Sequence, residues 1–569
     1  MFRNVLGFTS AAALCIGLSA PLMAQSIAGP YLAGRHAAVN SDYPEAARYY
    51  TEALARDSKN VELMESAVLS YLSLGRIDKA LPLARSMVTL ETKSQVAEMT
   101  IVAALAKEGD YNALLERDSA AIGPWVGGLV QAWAYMGAGD VTAAMAAFDD
   151  LSKEAGMQGF VMYHKALALA SVGDFEGAEA IFASEDAGAA AQTRRGVMAH
   201  AEILGQLGRN DDALAVLKDG FGDDTDPEID ALVARLKEGD AAPFEHMPDA
   251  RAGMAEVFFT FAAVLRNEAA GDYYVLLYSR IARYLRPDHI DALLLTANLL
   301  ENLGEHDLAI AEYKALPPDS PAYHAAELGR AEALRRSGKT PQAIEVLEQL
   351  ARSHGDLAVV HSTLGDILRA EEDYEAAITS YDKALDRTSE GARARWALYY
   401  ARAIAKERSG DWEGSEADFR AALTLNPEQP QVLNYLGYSL VEQERNLDEA
   451  LEMIERAVAA SPESGYIVDS LGWVFYRLGR YSEAVGQMER AVELEPVDPV
   501  VNDHLGDVYW AVGRKREAEF QWRRALSFVD KSDVESEADP ERMRRKLEVG
   551  LEAVLAEEGA APLKVAAEE

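Results

Sequence analysis

The chain has 569 residues, is 49% hydrophobic and 26% charged, and carries a formal net charge of −38. Acid in this excess, spread over both halves, excludes nucleic acid and anionic lipid as natural partners. It fits either basic partners or the solubility of a long exposed surface. The one cysteine, Cys15, lies in an N-terminal apolar run, so neither disulfides nor cysteine-bound metal are expected to hold the rest together.

Residues 1–24 read as a cleavable secretory signal. Arg3 supplies a positive charge, Val5 to Leu18 form a short apolar run, and small residues precede Gln25, so cleavage is expected near Ala24 and the destination is a bacterial periplasm. The run is short for a membrane anchor, which is the alternative. Leu14 precedes Cys15 and the apolar residues continue beyond it. That is not a lipobox, although association with the outer membrane by another route stays open. No later apolar run approaches the length of a membrane span.

Beyond the signal, apolar residues recur at helical spacing throughout, and Gly75, Gly109, Gly139, Gly173 and Gly208 punctuate the N-terminal half. Repeat starts fall near Ile27, Val61, Gln95, Trp125, Gly159 and Arg194, giving a degenerate array over 25–220. Between Gly220 and Asp249 the period fails in a segment rich in Gly, Asp and Pro around one short helical run. Residues 221–250 are therefore expected to link two separately packed arrays, with few hydrophobic contacts crossing them. The acidic run Asp223, Asp224, Asp226, Glu228, Asp230 lacks the glycine and terminal glutamate of an EF-hand and reads as solvated.

The second array, 251–532, has starts near Glu256, Ile290, His324, Ala358, Trp396 and Pro430. It ends in a stretch that contains the same sequence twice: Leu471-Gly472 returns 34 residues later as Leu505-Gly506, Phe475 as Tyr509, Gly479 as Gly513, Ala484 as Ala518 and Ala491 as Ala525. A 34-residue period with these landmarks is that of the tetratricopeptide repeat (TPR), a helix-turn-helix unit. Gly479 and Gly513 fall where the first helix, helix A, must close. Gly472 and Gly506 sit inside it and imply two backbones in close approach to the second, helix B. The expected fold is all-α: a TPR solenoid, a right-handed superhelix of about fourteen units. A helix over 533–556, started by Asp539-Pro540, is expected to cap it, and 557–569 to be a disordered tail.

No nucleophile, acid-base pair, metal set or phosphate loop stands at a defined spacing. The chain reads as a binding protein and not an enzyme, with no cofactor. In TPR arrays as a family, helix A lines a concave groove. Carried onto this chain, that register places Gln431, Asn434, Tyr438, Tyr466, Asp469, Trp473, Tyr476, Asp503, Asp507 and Trp510 in the groove, a mixture of flat aromatic surface and hydrogen-bonding groups suited to a protein or peptide partner. For Trp473, Tyr476 and Trp510, packing between units is the competing reading. Arg335, Arg336, Arg369 and Arg477 recur near equivalent positions and are read either as a joint carboxylate clamp or as separate surface ion pairs.

The block from Asn434 to Leu526 also resembles the C-terminal repeats of a family of bacterial envelope TPR proteins. One type in that family is an outer-membrane lipoprotein that binds a periplasmic carboxy-terminal processing protease and delivers substrates to it. The resemblance implies a periplasmic adaptor that recruits envelope proteins, including such a protease and its substrates. A docking component of an outer-membrane or exopolysaccharide export machinery is the alternative.

Overall fold

The computed structural model of the chain describes residues 27–184, 188–222, 226–239, 243–267, 271–529, 538–560 and 562–563. The expected signal peptide lies outside the described residues, as do Asp223 and Asp224. Among the described residues the regular secondary structure is helical, and consecutive helices pair antiparallel to build a TPR solenoid. First helices begin at Ala28, Val61, Gln95, Pro124, Gln158, Arg194, Ile290, Tyr323, Ala358, Arg395, Pro430, Gly465 and Pro499, at or within one residue of the starts the repeat period gives. The start expected near Glu256 falls earlier, at Ala250.

The turn between the two helices of a repeat is written into a Gly-Asp pair in several units. Gly109, Gly139, Gly173 and Gly410 take positive φ, which closes the first helix at no steric cost. The aspartate that follows caps the second: Asp174 accepts from Gly177 N at 2.9 Å and Asp411 from Gly414 N at 3.0 Å. The glycines inside helix A serve a different contact from the one expected. A Cβ on Gly472 would lie 2.8 Å from Met488 Cγ, and one on Gly506 would lie 2.4 Å from Trp522 Nε1. These glycines make room for a large side chain of helix B, not for its backbone.

The described residues fall into two compact units that part between Ala343 and Ile344. In the N-terminal unit, residues 221–250 do not separate two packed bodies. Helix Pro227–Glu238 buries Ile229, Leu232 and Leu236 against Val197, Leu204 and Leu217 of the preceding repeat. One hydrophobic core then runs from Ala37 to Ala292, across the segment expected to interrupt it. It does so because helices Ala250–Asn267 and Asp272–Leu285 dock on the first helices of the earlier repeats, Val61–Ser73, Gln95–Glu108, Pro124–Gly137 and Gln158–Ser171. A Cβ on Gly253 would meet Trp133 Cδ2 at 2.2 Å, Phe261 stacks on Phe160, and Arg280 Nε donates to Ser73 O at 2.9 Å. A charged knot locks this docking. Glu256, 1% exposed, accepts from Arg195 at 2.7 Å, Tyr163 Oη at 3.0 Å and His289 at 3.2 Å, while Arg195 also holds Asp291 at 2.8 Å. Against the upward push of burial, Arg195 and His289 hold the Glu256 carboxyl well below its usual range.

In the C-terminal unit the core runs from Ala403 through Trp522 to Leu551. The expected single capping helix is two, Pro540–Val549 and Leu551–Glu557, broken at Gly550, whose φ is +85° and where a Cβ would strike the Trp510 ring. Residues 533–537 of the expected cap lie outside the described residues, as do 561 and 564–569 of the expected tail. Leu563 packs on the core, so the beginning of the expected tail is in contact with the fold.

Candidate partner-binding groove

Four successive first helices of the C-terminal unit, Arg395–Arg408, Pro430–Glu442, Gly465–Leu478 and Pro499–Ala511, present side chains to one cavity of roughly 520 Å³. Asn434, Tyr438, Tyr466 and Asp469 line it. The periodicity puts them there: Val432, Leu433, Leu436, Leu440, Ile467, Val468 and Leu471 are buried on the opposite stripe of the same helices, which turns the intervening positions to the concave side. Tyr466 stands 57% exposed at the rim, and Glu407, Arg408, Glu442, Asp498 and His504 complete the wall.

Asp469 is the buried carboxylate of this cavity, at 7% exposure. His504 Nδ1 donates to its Oδ2 at 3.0 Å, while its Oδ1 has no hydrogen-bond partner; Asn434 Oδ1 likewise has none. Burial works against charge on His504, but the carboxylates of Asp469, Asp503 and Asp507 outweigh it and lift the imidazole pKa above its ordinary range.

The other expected groove residues have different places. Gln431 is exposed at the start of its helix and accepts from Gln429 Nε2 at 2.6 Å. Trp473 is half-buried, stacked on Tyr476 at 4.7 Å and on His504 at 4.1 Å, with its Nε1 donating to Glu442 at 3.1 Å. Tyr476 is buried. Both rings pack against neighbouring aromatic side chains. Asp503 and Asp507 are not open to a partner, because Lys546 from helix Pro540–Val549 inserts between them. Its Nζ donates to Asp503 Oδ2 at 2.8 Å and Asp507 Oδ1 at 2.6 Å. Trp510 packs on Trp522 at 5.2 Å and donates to Glu552. The last repeat is thus covered by the chain's own C-terminal helices, an occupancy that a register read from helix A alone does not contain.

The arginines do not converge as a clamp. Arg335 and Arg336 pair with Glu332, Arg369 lies 3.2 Å from Tyr381 Oη, and Arg477 reaches Glu444 at 3.9 Å. Asp226 caps helix Pro227–Glu238 and pairs with Arg194 at 2.6 Å, which is a structural use of the acidic run. Sequence reasoning missed His504 and Lys546. The signal for Lys546 was available: a basic run, Arg542 to Lys546, follows an acidic pair on the preceding first helix.

The tetratricopeptide repeat model matches residues 31–94, 328–392, 400–465, 443–499 and 470–527. A TPR repeat-containing protein of Pseudomonas aeruginosa is 27% identical over 186 residues, 32% of this chain and 31% of the relative, so the match spans about a third of that protein's length. Among solved structures, a chain of the APC/C hetero-tetramer Cut9–Hcn1 is similar at 13% identity with a TM-score of 0.38, covering 92% of this chain and 96% of that one. Yeast Tom70 is similar at 14% identity with a TM-score of 0.37, covering 94% and 98%. The matched segments carry the TPR helix-turn-helix unit, and the architecture they build is that of a protein–protein interaction scaffold.

Proposed function

We propose that this chain is a periplasmic adaptor that holds a segment of a partner protein in the concave cavity of its C-terminal repeats and so recruits envelope proteins, a carboxy-terminal processing protease and its substrates among them. The observation that carries the reading is the cavity itself. It offers roughly 520 Å³ between successive first helices, an exposed tyrosine at its rim and a buried carboxylate in its wall. The chain's own helices Ala250–Asn267 and Asp272–Leu285 lie on the first helices of the earlier repeats, Val61–Ser73 to Gln158–Ser171, and Lys546 and its neighbours cover the last repeat, whereas this cavity has room for a guest. The signal-like pattern of residues 1–24 supports the periplasmic part of the reading.

The full chain used as bait in an envelope extract is expected to retain a small partner set that Tyr466→Ala and Tyr438→Ala together release while the helical circular dichroism stays unchanged. Retention of the same set by the double variant would place binding elsewhere. A reporter active only outside the cytoplasm, fused after residues 1–60, is expected to be active; an inactive fusion would remove the periplasmic part.

A further inference from the structure

The wall of the cavity has a sign. Glu407, Glu442, Asp469 and Asp498 line it against Arg408 and His504, four carboxylates to one guanidinium and one imidazole. An acidic rim alone is ordinary in a chain of this charge. What distinguishes this one is that two acceptor oxygens in the wall, Asp469 Oδ1 and Asn434 Oδ1, are shielded from water and receive no donor. A buried acceptor without a donor carries the full cost of its desolvation, more so on a carboxylate. The ligand that offsets this cost brings donors and positive charge and no acceptor of its own. Lysine ammonium and arginine guanidinium are the side chains with that inventory.

The neighbouring repeat holds an internal precedent. Asp503 stands 34 residues beyond Asp469, at the equivalent position of its helix, and there the ammonium of Lys546 enters from outside the repeat. The Lys546 side chain is fully buried, seated between Asp503 and Asp507 with Trp522 at its flank. In both repeats one carboxylate oxygen is engaged, by Lys546 at Asp503 and by His504 at Asp469, and Oδ1 of each has no hydrogen-bond partner; the difference is that the Asp503 site already holds an ammonium while Asp469 lines the cavity.

We infer that the cavity receives a lysine or arginine side chain from a basic segment of a partner protein, with Asp469 as its counter-charge and Asn434 as a further acceptor. The inference rests on the groove reading above and adds the chemistry of the guest. Tyr438 and Tyr466 supply the flat walls along which the aliphatic stem of such a side chain lies.

Short randomised peptides selected on the immobilised full chain provide the test. Selected sequences are expected to share a lysine or arginine at one position. A selected peptide is expected to bind the Asp469→Asn variant roughly tenfold more weakly, and its own Lys→Gln analogue is expected to lose the same factor, with no further loss when both changes are combined. Glu442→Arg, at an exposed rim position, is expected to weaken the same peptide by a smaller, salt-dependent factor, and it keeps the test decisive if Asp469→Asn disturbs folding. Peptides that need Tyr466 but show no basic selection, or that bind Asp469→Asn as well as the native chain, overturn the inference and leave the groove reading standing. Peptides indifferent to both Tyr438 and Tyr466 overturn the two together.

Discussion

Lys546→Met removes the ammonium that holds the last repeat to the C-terminal helices. Asp507 is 1% exposed and Asp503 9%, so the change strands two carboxylates in the protein interior. Asp507 retains the Trp522 Nε1 donor at 2.9 Å and Arg542 at 3.4 Å, while Asp503 loses the Lys546 ammonium that donates to it at 2.8 Å. Breaking a buried ion pair from one side costs about 3–5 kcal/mol, because the abandoned charge stays desolvated. A solenoid opens locally, so the loss belongs to the C-terminal helices and the repeat beneath them and not to the whole chain. Native-state hydrogen exchange of the amides in Pro540–Val549 is therefore the assay, and their exchange is expected to accelerate about a hundredfold or more. Burial and the neighbouring Asp507 already raise the Asp503 pKa, so the loss shrinks at acidic pH as that carboxyl takes up a proton. Adding Asp503→Asn and Asp507→Asn to Lys546→Met is expected to restore most of the protection, since no uncompensated charge then remains. Unchanged exchange in Lys546→Met, or no recovery in the triple variant, would refute the reasoning.

Burial lifts the Glu202 carboxyl to about 7, so its contribution to the N-terminal unit is fully present below the ordinary carboxyl range and is lost as pH rises through 7. Glu202→Gln should flatten the fall in melting temperature over that interval, a fall on the order of 3 kcal/mol in free energy. Arg195→Met leaves Glu256 charged in the core and should destabilise the N-terminal unit by about 3–5 kcal/mol in denaturant unfolding. The Glu256 carboxyl is held well below its usual range, so the stability it contributes is present above that range and lost as pH falls through its folded value. Gly506→Ala drives a Cβ to 2.4 Å from Trp522 Nε1 and should cost about 1–3 kcal/mol, read calorimetrically. Gly486→Ala, mid-helix with nothing near its Cβ, should stabilise by about 0.5–1 kcal/mol.

The repeat starts are legible in the sequence because each repeat writes its own punctuation: a glycine free to take positive φ, an aspartate to cap the next helix, and a small residue opposite a large one. These are local signals. Asn434, Tyr438, Tyr466 and Asp469 could be placed on one cavity for the same reason, since neighbouring repeats share a register. The period is silent about what docks from a distance. Helix Ala250–Asn267 leaves its register and fills the N-terminal concave face, and its residues Met254, Ala255, Val257, Phe258 and Ala262 are buried with Phe259 and Phe261 packed beside them. A helix apolar on nearly every side needs more than one neighbour, and that was the readable clue. Asp503, Asp507 and Trp510 were misplaced for a parallel reason. Their helix has the groove register, but the basic face of Pro540–Val549 lies on them, and the pairing of Lys546 with two aspartates some forty residues earlier has no periodic signature.

The central claim is that partners enter the cavity of the C-terminal repeats. Photo-crosslinking in living cells tests it most directly, with a benzophenone side chain placed at Tyr466 on the cavity rim or at Phe520, which is 63% exposed on a second helix away from it. The account predicts discrete adducts from Tyr466 that weaken in the Tyr438→Ala background, and none of these adducts from Phe520. The same adducts from Phe520, with Tyr466 silent, would contradict it.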